Sequence, residues 1–219
     1  MNERAVADLR SLARDDEHLA AESERLHELD GQVTALREKA EAIKAFFAAY
    51  PHEETRRRED LTDAEAELAR RRAELQVAEA QLASAAGDEA REHAEHAVER
   101  GRDHVAVAEA AVERARAAAA ELERDASRLP GEVPELEEWA RAISTEVRDV
   151  PPVPEGPREL VEWASHAHAE LFVAAGQLDA QRDRVIREAN ELATMLLGEP
   201  TYGSTPAQLE QRIGPLAGQ

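Results

Sequence analysis

The chain has 219 residues, of which 34 % are charged and only 3 % aromatic, with no cysteine and a formal net charge of −20. Without cysteine, disulfides, thiolate metal sites and thiol nucleophiles are excluded, and so large an acid excess opposes direct binding to nucleic-acid phosphates or anionic lipid. The apolar 42 % is carried largely by alanine, which predicts thin helical seams rather than a large round core.

The prolines divide the chain. They stand at 51, 130, 134, 151, 152, 154, 157, 200, 206 and 215, and proline breaks helix interiors while suiting first turns. The predicted architecture is therefore all-α: an elongated antiparallel coiled-coil or long-helix bundle over 1–129, with a smaller C-terminal helical head over 130–219. The first region is read as helices at about 2–50, 54–86 and 88–129. The second is read as helices at about 132–148, 157–197 and 206–213.

The first helix has a natural N-cap in Asn2. Leu12, Leu19, Leu26, Val33, Ala40 and Phe47 repeat every seven residues, and Leu29, Leu36 and Ile43 fall three after members of that row. This makes a good heptad seam in the second half. The first half is weaker, because Asp15 and Glu22 fill the other seam position. A second helix is expected to start near Pro51 or at Thr62, which with Glu65 forms a capping-box pattern. Its row is Leu61, Leu68, Leu75 and Leu82.

That seam fails in the stretch LASAAGDEAREHAEHAVERGRDH, Leu82 to His104. It restarts in another phase at Val98, Val105, Val112 and Ala119. Gly87 is a natural helix terminator and Asp88 a natural N-cap. Two readings stay open there: a tight αα-hairpin at Ala86-Gly87-Asp88, or one continuous helix with a slip in its heptad.

Beyond Leu129 the motif Glu-Leu-x-Glu-Trp-Ala occurs twice, from Glu135 and from Glu159. Between the copies DVPPVPEGP reads as a stiff spacer. A long helix from Pro157 carries Ala164, Leu171, Leu178, Val185 and Leu192 every seven, and Gly198 and Pro200 end it. Thr205-Pro206-x-Gln208 caps a short last helix with Leu209 and Ile213.

No residues are assigned to catalysis, to a cofactor or to a metal. His93 and His96 lie i, i+3 on a helix beside Glu89 and Glu92, a pattern that binds metal only when a second helix completes the shell. No matching cluster is evident. The serines lack a Gly-x-Ser-x-Gly turn, and no phosphate-binding loop is present. The arginine triplets 56–58 and 70–72 are flanked by acids and read as salt-bridged faces.

The aromatics are the most informative side chains. Phe46, Phe47 and Tyr50 crowd one helix, and Trp139, Trp163 and Phe172 lie in the C-terminal part. They are expected either to build a local core where the C-terminal helices fold onto the first helix, or to form a docking surface. The expected function is a non-catalytic coiled-coil scaffold or spacer. It would bind protein partners through helical seams and self-associate as a homo-oligomer. The start MNERAVADLR lacks a secretory apolar stretch, so a cytoplasmic location without membrane insertion is expected. Two alternatives stand beside this: a coiled-coil arm of an SMC-like or other motor ATPase, and a helical-bundle metal-binding protein.

Overall fold

The computed structural model describes residues 3–147 and 149–213, and these form four helices with no strand among them: α1 Glu3–Ser84, α2 Asp88–Ser144, α3 Pro157–Leu197 and α4 Pro206–Ile213. The N-cap expected at Asn2 lies outside the described residues. None of the helices is long and apolar enough to cross a membrane.

The breaks expected near Pro51 and around Pro130 are absent, because α1 runs through Pro51 and α2 runs through both Pro130 and Pro134, the latter expected in a first helical turn. Helices near 2–50, 54–86, 88–129 and 132–148 are therefore replaced by two long ones. An interior proline removes one backbone hydrogen bond and costs roughly 3 kcal/mol. All three rings face solvent, on the side where helix carbonyls tilt outward and water takes over lost bonds. The Pro51 carbonyl is also capped by the Thr55 hydroxyl at 2.9 Å. Flanking turns that bury their inner faces supply more than the local loss.

The chain folds as two compact units, one of residues 1–41 with 135–219, the other of residues 42–134. This division differs from the expected one at 129.

The second unit is an αα-hairpin. Its turn holds Gly87 at φ +98°, a left-handed backbone that costs an L-residue roughly 1–2 kcal/mol and glycine nothing comparable. Asp88 is the first helical residue rather than the cap, and the Gly87 carbonyl accepts the first bond, from the Arg91 amide at 3.1 Å. Three interhelical pairs fix the antiparallel register: Glu65–Arg116 at 2.9 Å, Arg72–Glu109 at 2.8 Å and Glu79–Arg102 at 3.9 Å. They recur every seven residues on each helix, as flanking charges of a coiled coil do. Being exposed and screened by solvent, they add little to stability; their effect is on alignment. The seam between them joins half-buried Leu61, Leu68 and Leu75 to Val98, Ala108 and Val112, which are buried. At Gly101 the helices come so close that a β-carbon there would lie 3.0 Å from the Leu75 Cδ1.

In the first unit α3 runs antiparallel to the first half of α1. One end of this pair is closed by a cluster of Val6, Leu9, Ala189, Ala193, Leu209 and Ile213, with Leu12 and Leu196 against it. The α3–α4 connection is tied down through buried Asn190, whose amide donates to the Ile186 and Ser204 carbonyls at 2.8 and 3.0 Å. Buried Thr201 donates to the Asn190 carbonyl at 3.0 Å. Gly198 ends α3 at φ +73°, and Thr205 and Gln208 cap α4 reciprocally at 3.0 and 3.3 Å. Toward the other end of this unit Leu29, Val33, Leu36 and Ala40 are buried, as are Leu136, Ala140, Leu160 and Ala164. The last four are equivalent positions of the two Glu-Leu-x-Glu-Trp-Ala motifs, so the echo is one of packing. Asp15 is not in the α1 seam; Asp16 is, at 5 % exposure. The inward row on that half is Val6, Leu9, Ala13 and Asp16, one residue out of phase with the strict heptad read from sequence.

Candidate functional site

The site is built where α1 and α3 stop packing. Two polar side-chain contacts cross between them: the Asp16–Arg182 ion pair at 2.8 Å and the Asp30–His168 hydrogen bond at 2.5 Å. On each helix the two partners lie fourteen residues apart, from 16 to 30 and from 182 to 168, so two heptads separate the brackets. Between them no α1 residue from 17 to 28 is buried. Leu19, Leu26 and Leu178 are half-buried and face a cleft of about 920 Å³, with buried Leu29 and Leu171 beneath one end.

The third wall is the segment after α2. Its last turn is continued by Val147, whose amide bonds the Ile143 carbonyl at 3.1 Å. Asp149 then takes φ +63°, strained for a non-glycine residue. Arg25 reaches across from α1 to Glu146 at 2.8 Å, and this hydrogen bond raises the guanidinium pKa above its ordinary value. The spacer that follows is strapped at both ends. The Trp163 indole donates to the Pro151 carbonyl at 2.9 Å, and the Gly156 amide donates to Glu137 at 3.1 Å. Pro151-x-x-Pro154 is thus held against the fold by its own backbone groups.

Among the described lining residues, Glu22, Glu146, Asp149 and Glu170 are acidic and Arg25 is basic. The cleft combines a leucine floor with an acidic rim. Its volume is in the range of ligand sites, but it is an open trough along two helices.

The aromatic residues singled out from sequence fall in different places. Phe46, Phe47 and Tyr50 lie on α1 within the second unit, where Phe46 meets Phe47 edge-on with ring centroids 5.4 Å apart and Tyr50 at a tilt with centroids 5.8 Å apart. Trp139 is half-buried in the first unit with the Lys39 ammonium 5.4 Å from its ring centre. Trp163 is buried in the same unit, while Phe172 is 76 % exposed on α3. The cleft residues were missed because the signal for them, a heptad position that switches phase between Asp16 and Leu29, becomes readable only when α3 is known to be the partner.

His93 and His96 are both exposed on α2, with His96 3.7 Å from Glu99. Among the described residues no three histidine, aspartate or glutamate side chains converge as metal ligands would. No family model matches this chain, and no curated protein or solved structure is significantly similar to it.

Proposed function

We propose that the chain is a non-catalytic coiled-coil scaffold that assembles proteins through helical seams, and that the α1–α3 cleft seats a helix from a partner protein. The observation that carries this reading is the open layer between the Asp16–Arg182 and Asp30–His168 brackets, where Leu19, Leu26 and Leu178 remain half-exposed. A helix presenting apolar residues at i, i+3 and i+7 completes such a layer. The acidic rim selects one with lysine or arginine beside its apolar stripe.

The test uses a fluorescein-labelled leucine/lysine amphipathic helix of about 18 residues, roughly 27 Å long, titrated by anisotropy. Saturable binding that weakens with salt, and is lost in Leu26→Gln/Leu178→Gln with helical content retained, supports the reading. The substitutions leave the charge unaltered, so equal binding by wild type and variant would overturn it.

A second reading is favoured by the second unit. Its hairpin, closed by charge pairs at heptad intervals, suits a coiled-coil arm of an SMC-like or other motor ATPase. A phosphate-binding loop encoded in the same open reading frame, outside these 219 residues, would favour the arm over the scaffold.

A further inference from the structure

The outer face of α3 carries a stripe with an apolar centre and charged ends that no described residue of the first unit covers. Glu162, Ser165, Ala169, Phe172, Gly176, Ala180, Asp183 and Arg187 follow one another at steps of three and four residues and are all exposed. They form one face of the helix, roughly opposite the row of Leu160, Ala164, Ala167 and Leu171 that is buried. At the centre Phe172 is 76 % exposed, and four residues on, a β-carbon at Gly176 would meet nothing within 4 Å. A bulky aromatic beside an empty notch, one helical turn apart, is a knob and a hole on the same surface.

We infer that this face pairs with a second copy of the chain, the two α3 helices running antiparallel about a two-fold axis between Phe172 and Gly176. A two-fold interface must be self-complementary, so each residue meets its partner twice. In this register the Phe172 ring of each copy enters the notch at Gly176 of the other, and Ala169 faces Ala180. Ser165 faces Asp183, and Glu162 faces Arg187, so opposite charges close both ends. The stripe from 162 to 187 covers roughly 38 Å of helix. Among the described residues Glu162 makes only a loose contact with Arg158, at 3.9 Å between two largely exposed side chains, which leaves it available to a second copy. The small residues around Phe172 let the backbones approach, and the aromatic supplies most of the buried area. The inference is independent of the cleft, which occupies another side of α3.

The experiment is sedimentation velocity on the full 219-residue chain over a range of concentrations, with circular dichroism of every variant. Wild type is expected to show a monomer–dimer equilibrium. Gly176→Leu fills the notch and adds a better helix former at an uncrowded site, so it is expected to keep or raise the melting temperature while sedimenting as a monomer. Phe172→Ala removes the knob from both copies and is expected to weaken the dimer by at least about 100-fold. Glu162→Arg and Arg187→Glu are each expected to weaken it, and the double variant to restore it. A wild type that stays monomeric at every concentration overturns the inference. So does a dimer indifferent to Gly176→Leu, or a double charge variant no better than the single ones. Peptide binding in the cleft should be untouched by Gly176→Leu, which separates failure here from failure of the scaffold reading.

Discussion

Replacing Gly87 by alanine isolates the conformational cost of the hairpin turn. Gly87 sits at φ +98° and an added β-carbon would touch nothing within 4 Å, so no clash contributes. The whole effect is the left-handed backbone penalty, roughly 1–2 kcal/mol for an L-residue. Asparagine tolerates this region better, so Gly87→Asn should cost less than Gly87→Ala. The assay exploits where the tryptophans are. Trp139 and Trp163 both belong to the first unit, while Gly87 belongs to the second. Urea unfolding is followed in parallel by circular dichroism at 222 nm, which reports all helix, and by tryptophan fluorescence, which reports the first unit. With a slope of roughly 2 kcal/mol per molar urea, the part of the dichroism transition due to the hairpin should move down by about 0.5–1 M. The fluorescence midpoint should stay in place. A Gly87→Ala protein whose dichroism curve superimposes on wild type, or whose fluorescence shifts equally, would refute the reasoning.

Leu209 is 1 % exposed in the cluster that seats α4, so Leu209→Ala should cost about 2–5 kcal/mol, read as a lower urea midpoint by tryptophan fluorescence. Asp16→Ala removes the buried half of the Arg182 pair and should cost about 1–3 kcal/mol. Asp16→Leu extends the apolar row while the half-exposed Arg182 turns to water, so it should fall within about 1 kcal/mol of wild type in the same assay. The Glu67 carboxyl is held below the usual carboxylate range, first by its hydrogen bond to Arg70 and further by Arg71. A lowered folded pKa gives stability that is present above the unfolded value and is lost as pH falls through the folded one. The dichroism melt of the hairpin should therefore weaken on acidification through and below the carboxylate range, and Glu67→Gln should flatten that dependence.

The helical class was legible because leucine and alanine repeat at helical spacing with almost no aromatic bulk. The seam Leu29, Val33, Leu36 and Ala40 could be read directly, and all four residues are buried. The change of heptad phase marked Gly87 as the place of a turn or of a slip in one continuous helix, and the spacing alone did not choose between them. The prolines misled, since a rule about proline is local and burial is not. Pro51, Pro130 and Pro134 all lie on solvent-facing sides, and sequence spacing alone does not say which side of a 3.6-residue helix a broken hydrogen bond will face. The brackets Asp16–Arg182 and Asp30–His168 were illegible for another reason. Each joins residues more than a hundred positions apart, and among many charged residues no single acid announces its partner. Nor did composition separate buried Trp163 from exposed Phe172, because that depends on which face of α3 meets α1.

The cleft itself follows from a mismatch of periods. Along α1 the residues facing α3 run Leu9, Ala13, Asp16, Leu19, Glu22, Leu26, Leu29, Val33, Leu36 and Ala40, nine steps in 31 residues. Along α3 they run Leu160, Ala164, Ala167, Leu171, Ala174, Leu178, Arg182, Val185, Ala189 and Ala193, nine steps in 33. The first stripe averages about 3.4 residues per step and the second about 3.7, either side of the helical 3.6. A stripe shorter than 3.6 winds the pair left-handed and a longer one winds it right-handed. Two antiparallel helices with opposing demands can keep their stripes face to face near both ends but not in between. The shortfall on α1 is concentrated between Asp16 and Leu29, four steps in 13 residues, which is the span where the layer opens. The opening is therefore written into the spacing of α1, and the two polar brackets hold the helices together across a gap their apolar residues do not close.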